Sequence, residues 1–280
     1  MQLIIVTGMS GSGKSVVLRL LEDIGFYCVD NLPATLIPQL IDKLNPSQTR
    51  IAISIDTRSE GLETLPNHLD DMRQRSIAVQ MIFLESNQET LVKRFSETRR
   101  RHPLSKGNMT LAESIQNERN LLAPLASLGH HIDTSDLSPN TLRQWVRDLV
   151  THDHHGMTLL FTSFGFKHGV PLDADFVFDV RCLPNPHWDA KLRPLSGKDL
   201  AVQEFLSKET LVEQMYQDIQ QFVNRWLPHF VKENRHYLTV AVGCTGGQHR
   251  SVYLVEKLAA QFQSDQQQVL IRHRELEIKL

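Results

Sequence analysis

The stretch Ile4-Ile5-Val6-Thr7-Gly8-Met9-Ser10-Gly11-Ser12-Gly13-Lys14-Ser15 decides the fold. A short apolar, β-branched run delivers the backbone into a glycine-rich turn that closes on Gly-Lys-Ser, and a helical pattern follows from Val16 to Ile24. This is the P-loop pattern in its proper context, strand before and helix after. Gly8, Gly11 and Gly13 admit backbone conformations closed to residues with a Cβ, so successive N–H groups point into one concavity. The helix start adds partial positive charge where a β-phosphate sits. Lys14 is placed to neutralise the β/γ oxygens and the Ser15 hydroxyl to ligate Mg²⁺. The plain alternative is a Gly/Ser-rich turn with no ligand, and pattern and context both speak against it. Residues Gly8 to Ser15, with Met9, Ser10 and Ser12 among them, are therefore expected to bind a nucleoside triphosphate.

Outward from this loop, apolar runs alternate with helical patterns. Strands are expected at Leu3–Val6, Tyr27–Val29, Ile51–Ile55, Val79–Leu84 and His131–Ile132. Helices are expected near Val16–Ile24, Thr35–Leu44, Leu62–Arg75, Gln88–Arg101, Leu111–Leu128 and Thr141–Val150. Such alternation predicts a parallel sheet with helices on both faces. A His-rich stretch, Thr151-His152-Asp153-His154-His155-Gly156, reads as a polar linker rather than a metal site. The second half restarts with strands Thr158–Ser163 and Phe176–Val180 and a Pro-rich loop. Helices Ala201–Leu206 and Leu211–Phe230, strand Tyr237–Val242, helix Val252–Gln263 and strand Val269–Arg272 complete it. The expected architecture is α/β throughout: a kinase-like P-loop domain over residues 1–152, then a smaller α/β domain over 156–280.

At 280 residues the chain suits two domains better than one core. Its 41% hydrophobic and 22% charged residues are ordinary for a globular protein. No apolar run approaches the roughly 20 residues that span a bilayer, and no leader pattern stands at the start, so a cytoplasmic protein without membrane attachment is expected. Cys28, Cys182 and Cys244 are odd in number and far apart, which suits reduced thiols. With a net charge of −2, any nucleic-acid binding must come from local patches.

A P-loop needs an acid at a neighbouring strand end to hold Mg²⁺ or orient water. Asp56, closing the apolar run Ile51-Ala52-Ile53-Ser54-Ile55, stands first; Glu85, after Met81–Leu84, and Asp30, after the second strand, follow. Each has the alternative of capping the next helix. Lys14, Ser15 and Asp56 form the expected catalytic set, with Ser15 and Asp56 on the metal. Arg94, Arg99, Arg100 and Arg101 recur along one helix before His102-Pro103-Leu104-Ser105-Lys106-Gly107. They read either as a phosphate-clamping lid, which raises a small-molecule kinase, or as a solvated basic face.

The second half carries another strand–loop–helix sequence, Val240-Ala241-Val242-Gly243-Cys244-Thr245-Gly246-Gly247-Gln248-His249-Arg250-Ser251. Paired glycines free backbone amides, His249 and Arg250 add charged donors, and Ser251 is placed to cap the next helix. A phosphate monoester or a nucleic-acid phosphate is the expected occupant. Cys244 and Arg250 have the spacing of cysteine-dependent phosphatases, where a thiolate at a helix N-terminus faces an arginine clamp. Pro186-His187-Trp188-Asp189 offers a general acid. Gly243, however, stands where those enzymes usually carry histidine, and the motif alone predicts an anion cradle without aryl-phosphate turnover.

Several stretches together resemble the RapZ family. They are Gly8–Ser15, Gly25–Pro33, Phe164-Gly165-Phe166-Lys167-His168-Gly169, Asp179-Val180-Arg181, Leu183–Trp188 and Gly243–Ser251, in order along essentially the whole chain. These are bacterial P-loop proteins, some of which act as RNase adapters. The resemblance implies a kinase-like N-terminal domain that binds ATP and GTP with Mg²⁺ and hydrolyses them slowly. It implies a C-terminal domain that binds a small regulatory RNA for a ribonuclease and assembles a homo-oligomer. It assigns ATP to Gly8–Ser15 and GTP to Asp56-Thr57-Arg58-Ser59. An Asp accepts from guanine N1 and N2, but it also binds Mg²⁺, and both readings stay open. It further makes His187 with Thr245, Gly246, Gly247, His249 and Arg250 a phosphate or phosphosugar pocket and part of an RNA surface. Arg272, His273, Arg274 and Lys279 are expected to extend that surface as a cationic path. RNA adapters of this family end in a basic cluster, whereas here Glu275 and Glu277 dilute it, which should weaken RNA binding.

Overall fold

The computed structural model describes the chain except for residues 45–47, 60, 106–107, 152–156, 234, 236, 264–267 and 277–280. The His-rich stretch 152–156 and Lys279 therefore lie outside the described residues. The chain divides into two compact units, Met1–His152 and Asp153–Leu280.

The first unit is built on a five-stranded parallel sheet in the order β2-β3-β1-β4-β5. The strands are β1 (Gln2–Gly8), β2 (Tyr27–Val29), β3 (Arg50–Ser54), β4 (Ala78–Glu85) and β5 (His130–Asp133). Strand β1 lies between β3 and β4, and its Leu3, Ile4, Ile5 and Val6 are fully buried. That is why it reads as a continuous apolar run rather than an alternating one. The helices are α1 (Lys14–Asp23), α2 (Ile37–Lys43), α3 (Leu65–Gln74), α4 (Gln88–Thr98), α5 (Leu111–Ala126) and α6 (Pro139–Val150). Helices α2 and α3 start later than their apolar patterns, each after a single 3₁₀ turn with a proline in its first turn. Proline lacks an N–H and has a preset φ, so it suits that position.

One boundary differs from expectation. Helix α4 ends at Thr98, with Arg99 left-handed at φ 51°, so the run Arg94–Arg101 is not one helical face. The break frees the chain to turn so that His102 enters the interior, where it is 3% exposed.

The second unit repeats the parallel α/β principle with four strands in the order β7-β8-β6-β9. These are β6 (Thr158–Gly165), β7 (Phe176–Asp179), β8 (Tyr237–Cys244) and β9 (Gln268–His273), with α7 (Leu200–Ser207), α8 (Thr210–Lys232) and α9 (Arg250–Phe262). Every residue of the central strand β6 is buried, and α9 packs across β6, β8 and β9. Gly165, ending β6, pairs in register with Cys244, ending β8. The loops leaving these strand ends therefore meet. A Cβ on Gly165 would fall 2.8 Å from the Gly246 carbonyl carbon, so only glycine fits there.

Candidate functional site

In the first unit the loop Met9–Gly13 leaves the carboxyl end of β1, and α1 begins at Lys14. Two glycines are obligatory. Gly8 has φ 129° and its missing Cβ would lie 2.0 Å from the Leu84 carbonyl oxygen; Gly13 is left-handed at φ 106° and sets the helix start. Met9 is fully buried, and its N–H donates to Leu84 O at 2.9 Å, tying the loop to β4. The Lys14 ammonium is folded onto the loop itself, donating to Gly8 O at 2.7 Å and Met9 O at 3.1 Å. Burial pushes its amine below the ordinary value, against the pull of Glu118 and Asp56.

Asp56 follows β3, the neighbour of β1, and shares a cavity of about 410 Å³ with Ser10, Lys14 and Ser15. Arg58, Arg94, Arg100 and Arg101 line the same cavity, so five cations with Lys14 face two acids, Asp56 and Glu97. That surplus suits a polyphosphate. Asp56 is held by Arg58, whose N–H donates to Oδ1 at 2.9 Å and whose Nη2 donates to Oδ2 at 2.5 Å. Burial raises the Asp56 carboxyl, but the Arg58 bonds and charge, with Lys14, outweigh it and hold the group below the ordinary carboxylate range.

The two other acids do not line this cavity, although Asp30 is near enough for its charge to act on Lys14 and Arg58. Glu85 is engaged by Arg119 and by His131 at 2.9 Å, and Asp30 is exposed at the end of β2. Of the basic run, Arg94 braces the loop, donating to Gly11 O at 3.0 Å and Thr134 O at 2.6 Å. It is a strut, and Arg100 and Arg101 remain to reach a phosphate.

In the second unit, Cys244 closes β8 and Arg250 is the first residue of α9. Cys244 Sγ lies 3.2 Å from Ser251 Oγ. Arg250 Nη1 donates to Arg181 O at 2.8 Å and Leu183 O at 2.9 Å, which fixes the guanidinium under the loop.

Relatives match this chain along nearly its full length. Residues 1–154 match the RapZ-like N-terminal domain and residues 157–277 the RapZ C-terminal domain. The chain belongs to the RapZ family. A "Nucleotide-binding protein" of Methylobacillus flagellatus is 61% identical over 278 residues, covering 99% of both chains. Its counterpart in Chromobacterium violaceum is 58% identical over 278 residues, again covering 99% of both. Among solved structures, a shikimate kinase from Bacteroides thetaiotaomicron is similar over 54% of this chain and 98% of its own, at 14% identity and a TM-score of 0.38.

Within this family frame, several sequence expectations need correction. Asp56 and Arg58, from the segment Asp56–Ser59 for which the metal and guanine readings are both open, line the cavity of Lys14 and Ser15. Ser251 is not the cap of α9. It lies inside the helix, fully buried, and its hydroxyl faces Cys244. His249 is not a free cation at the loop. Its Nε2 lies 3.1 Å from Leu192 O and burial pushes its pKa down, so the ring is a neutral donor that anchors the Pro-rich loop. His187 is exposed, with its ring centroid 6.3 Å from that of His249. Arg272 and Arg274 form no surface path, being 3% and 6% exposed. His273 between them bonds Ser163 Oγ at 2.8 Å and Glu256 at 2.9 Å, so this end of β9 is locked into the unit. Glu275 turns back on the loop region, accepting the Gly165 N–H at 3.0 Å and lying against Gly247. Thr245 is exposed and Gly246 opens onto free space.

The residue that sequence reasoning missed is Glu118. It is fully buried on α5 and gathers four donors: Ser10 N at 2.9 Å, Ser10 Oγ at 2.7 Å, Thr57 Oγ1 at 2.9 Å and His102 Nε2 at 3.0 Å. His102 Nδ1 accepts from the Leu104 N–H at 3.2 Å, which leaves the proton on Nε2. One carboxylate thus ties together the P-loop, the segment after β3 and the chain after α4. Its signal was present: Ile115, Glu118, Leu122 and Leu125 share the buried stripe of α5, where a glutamate is out of place unless fully bonded.

Among the described residues no group of three or more His, Cys, Asp or Glu side chains gathers for a metal ion. The Ser15 hydroxyl and one carboxylate, Asp56, fit Mg²⁺, which keeps most of its waters and takes its other ligands from phosphates. Asp56 must share or release the Arg58 fork to serve it. No helix of the described residues is long and apolar enough to cross a membrane.

Proposed function

We propose that the chain is a cytoplasmic nucleotide-binding regulatory protein whose first unit takes Mg²⁺ with ATP or GTP in a single cavity and hydrolyses it slowly. The observation that carries this reading is the convergence of Lys14, Ser15 and Asp56 on one cation-lined cavity. Lys14 leaves its two loop carbonyls for the β/γ-phosphates, and Ser15 and Asp56 share the cation. Because Asp56 sits at the phosphate end, it acts on Mg²⁺ rather than reading guanine, so ATP and GTP compete for one place. Displacement of a fluorescent ATP analogue by GTP tests this. Competitive displacement that Lys14→Ala abolishes for both nucleotides supports it, and simultaneous binding of the two refutes it.

In this reading the second unit binds a structured small regulatory RNA, presents it to a ribonuclease and assembles the homo-oligomer. The loop Thr245–Arg250 takes one phosphate, of RNA or of a phosphosugar. With Arg272 and Arg274 buried, the cations that serve RNA are the exposed ones on neighbouring loops: Lys167, whose N–H donates to Thr245 O at 3.3 Å, and Arg193, whose Nε donates to His187 O at 3.0 Å. Gel-shift titration at two salt concentrations checks this. A small-molecule kinase is the second reading, carried by Arg100 and Arg101 at the cavity. ADP release that depends on an added acceptor would favour it.

A further inference from the structure

The loop between β8 and α9 carries more than a place for an anion. Cys244 ends a buried strand, five residues of loop follow, and Arg250 opens the helix. The guanidinium is used on one side only. Nη1 is fixed on the Arg181 and Leu183 carbonyls, and Nη2 reaches no closer than 3.4 Å to Thr245 Oγ1. Nε, on a side chain 4% exposed, has no hydrogen-bond partner among the described residues. A buried, charged Nε–H without an acceptor, on a side chain whose Nη2 reaches only a distant loop hydroxyl, calls for an acceptor with two oxygens, and a phosphate supplies them in the geometry an arginine fork fits.

The thiol beside it is prepared as well. Burial pushes the Cys244 thiol up. Hydrogen bonds from the Ser251 hydroxyl and N–H, the Arg250 charge and the Gly247 N–H outweigh that, and the net direction is down. Cys28 shows the contrast, since burial and Glu22 push its thiol up to about 11. The glycine before Cys244 also has a packing reason: a Cβ there would lie 2.4 Å from the Phe164 ring. Its presence reflects the Phe164–Phe166 pair and says nothing against chemistry at the thiol.

We propose that Cys244 is a nucleophile for phosphate monoesters, with Arg250 as the clamp. This rests on the reading of the loop as an anion cradle and departs from the expectation of binding without turnover. The thiolate attacks phosphorus, an S–P bond forms, and the P–O bond to the leaving group breaks with its electron pair on the departing oxygen. An aryl oxide leaves without a proton. Water then attacks phosphorus, the S–P bond breaks back to the thiolate, and inorganic phosphate leaves as the water proton passes to solvent. Arg250 Nε and Nη2 and the loop N–H groups hold the phosphoryl oxygens through both steps.

The test uses the full chain with an aryl phosphate in EDTA, which silences Mg²⁺-dependent hydrolysis at the P-loop, and measures phosphate binding by calorimetry in parallel. The expected result is vanadate-sensitive turnover that is kept in Lys14→Ala and lost in Cys244→Ser, with phosphate binding retained in Cys244→Ser. Mass spectrometry of acid-quenched wild type should show a phosphoryl adduct on the Cys244 peptide. Phosphate binding without turnover would overturn the nucleophile and leave the cradle standing. Absence of phosphate binding would overturn the cradle itself. Turnover undiminished in Cys244→Ser would place the chemistry elsewhere.

Discussion

Replacing Glu118 by alanine should loosen the first unit and the P-loop with it. The carboxylate is fully buried and accepts from four donors. The Ser10 and Thr57 hydroxyls rotate to other acceptors, but the Ser10 N–H and the His102 Nε2–H are fixed in direction and left stranded. A buried donor without a partner costs about 1–3 kcal/mol, so the loss is about 2–6 kcal/mol. Glu118→Gln keeps one acceptor oxygen and the side-chain shape, yet its amide turns a donor toward a donor, and it should fall between the two. The assay is urea unfolding of the full chain. Trp145 on α6 is buried in the first unit, so in a background of Trp188→Phe and Trp226→Phe its fluorescence follows that unit alone. A fluorescent nucleotide measured in the same variants should bind more weakly, since Glu118 fixes Ser10 within the loop through its N–H and its hydroxyl. A change below about 1 kcal/mol, with nucleotide affinity intact, would show that Glu118 is not the tie described.

Lys14→Ala should abolish binding of both nucleotides, because its amine sits within the loop on the Gly8 and Met9 carbonyls, a position that the arginines lining the cavity do not occupy; wild-type ATP hydrolysis in the variant would refute the site. Asp56→Asn should cut Mg²⁺-dependent hydrolysis more than nucleotide affinity, and a selective loss of GTP binding would instead restore the base-reading role. Lys167→Ala and Arg193→Ala should each make the salt dependence of RNA binding shallower, by about 0.7–0.9 in log–log slope per phosphate lost. Arg274→Ala should lower the stability of the second unit instead, and a changed slope with unchanged stability would contradict its burial. His249 and His273 are both held neutral, their pKa pushed down mainly by burial. Below the unfolded value the denatured chain binds the extra protons, so the stability of the second unit is full above about pH 6.5 and falls as pH drops from there. A melting temperature flat between pH 7.5 and 5.5 would refute this.

What was legible in the chain was what is local. Gly8 and Gly13 are forced by their own backbone angles and by the closeness of β4, and such demands leave glycines at fixed spacing. An apolar run ending in acid marked Asp56 because a parallel strand is buried on both faces until it reaches the crevice. Burial of charge was not legible. Glu118, Arg272 and Arg274 are long charged side chains of the kind that usually face water, and for Glu118 the partners that reverse that preference, Ser10 and Thr57, lie far along the chain. Ser163 and His273 are separated by 110 residues, and no spacing rule within β9 announces their bond. The charge count at the end of the chain was correct, but the inference from charge to surface failed.

The starts of the helices show why the two loops suit ligands, and for different reasons. In the first unit three helices carry side-chain caps: Asn87 for α4, Thr110 with Glu113 for α5, Ser138 for α6. Helices α2 and α3 enter through a 3₁₀ turn and a proline. Helix α1 follows the loop from Gly13 with no side-chain cap, so its first N–H groups stay available beside Lys14. An oxygen-rich anion completes that helix start as a cap would, and adds charge where the dipole favours it. In the second unit uncapped starts are general, since α7 and α8 also lack side-chain caps, and the absence alone carries no weight there. What distinguishes α9 is its first residue. Arg250 keeps a buried Nε–H without an acceptor while Nη1 is spent on two carbonyls, and substitution by lysine would lose that division of labour. Arg250→Lys should therefore keep the charge of the second unit but lose most of its phosphate affinity, and an undiminished affinity would mean that the loop amides alone make the site.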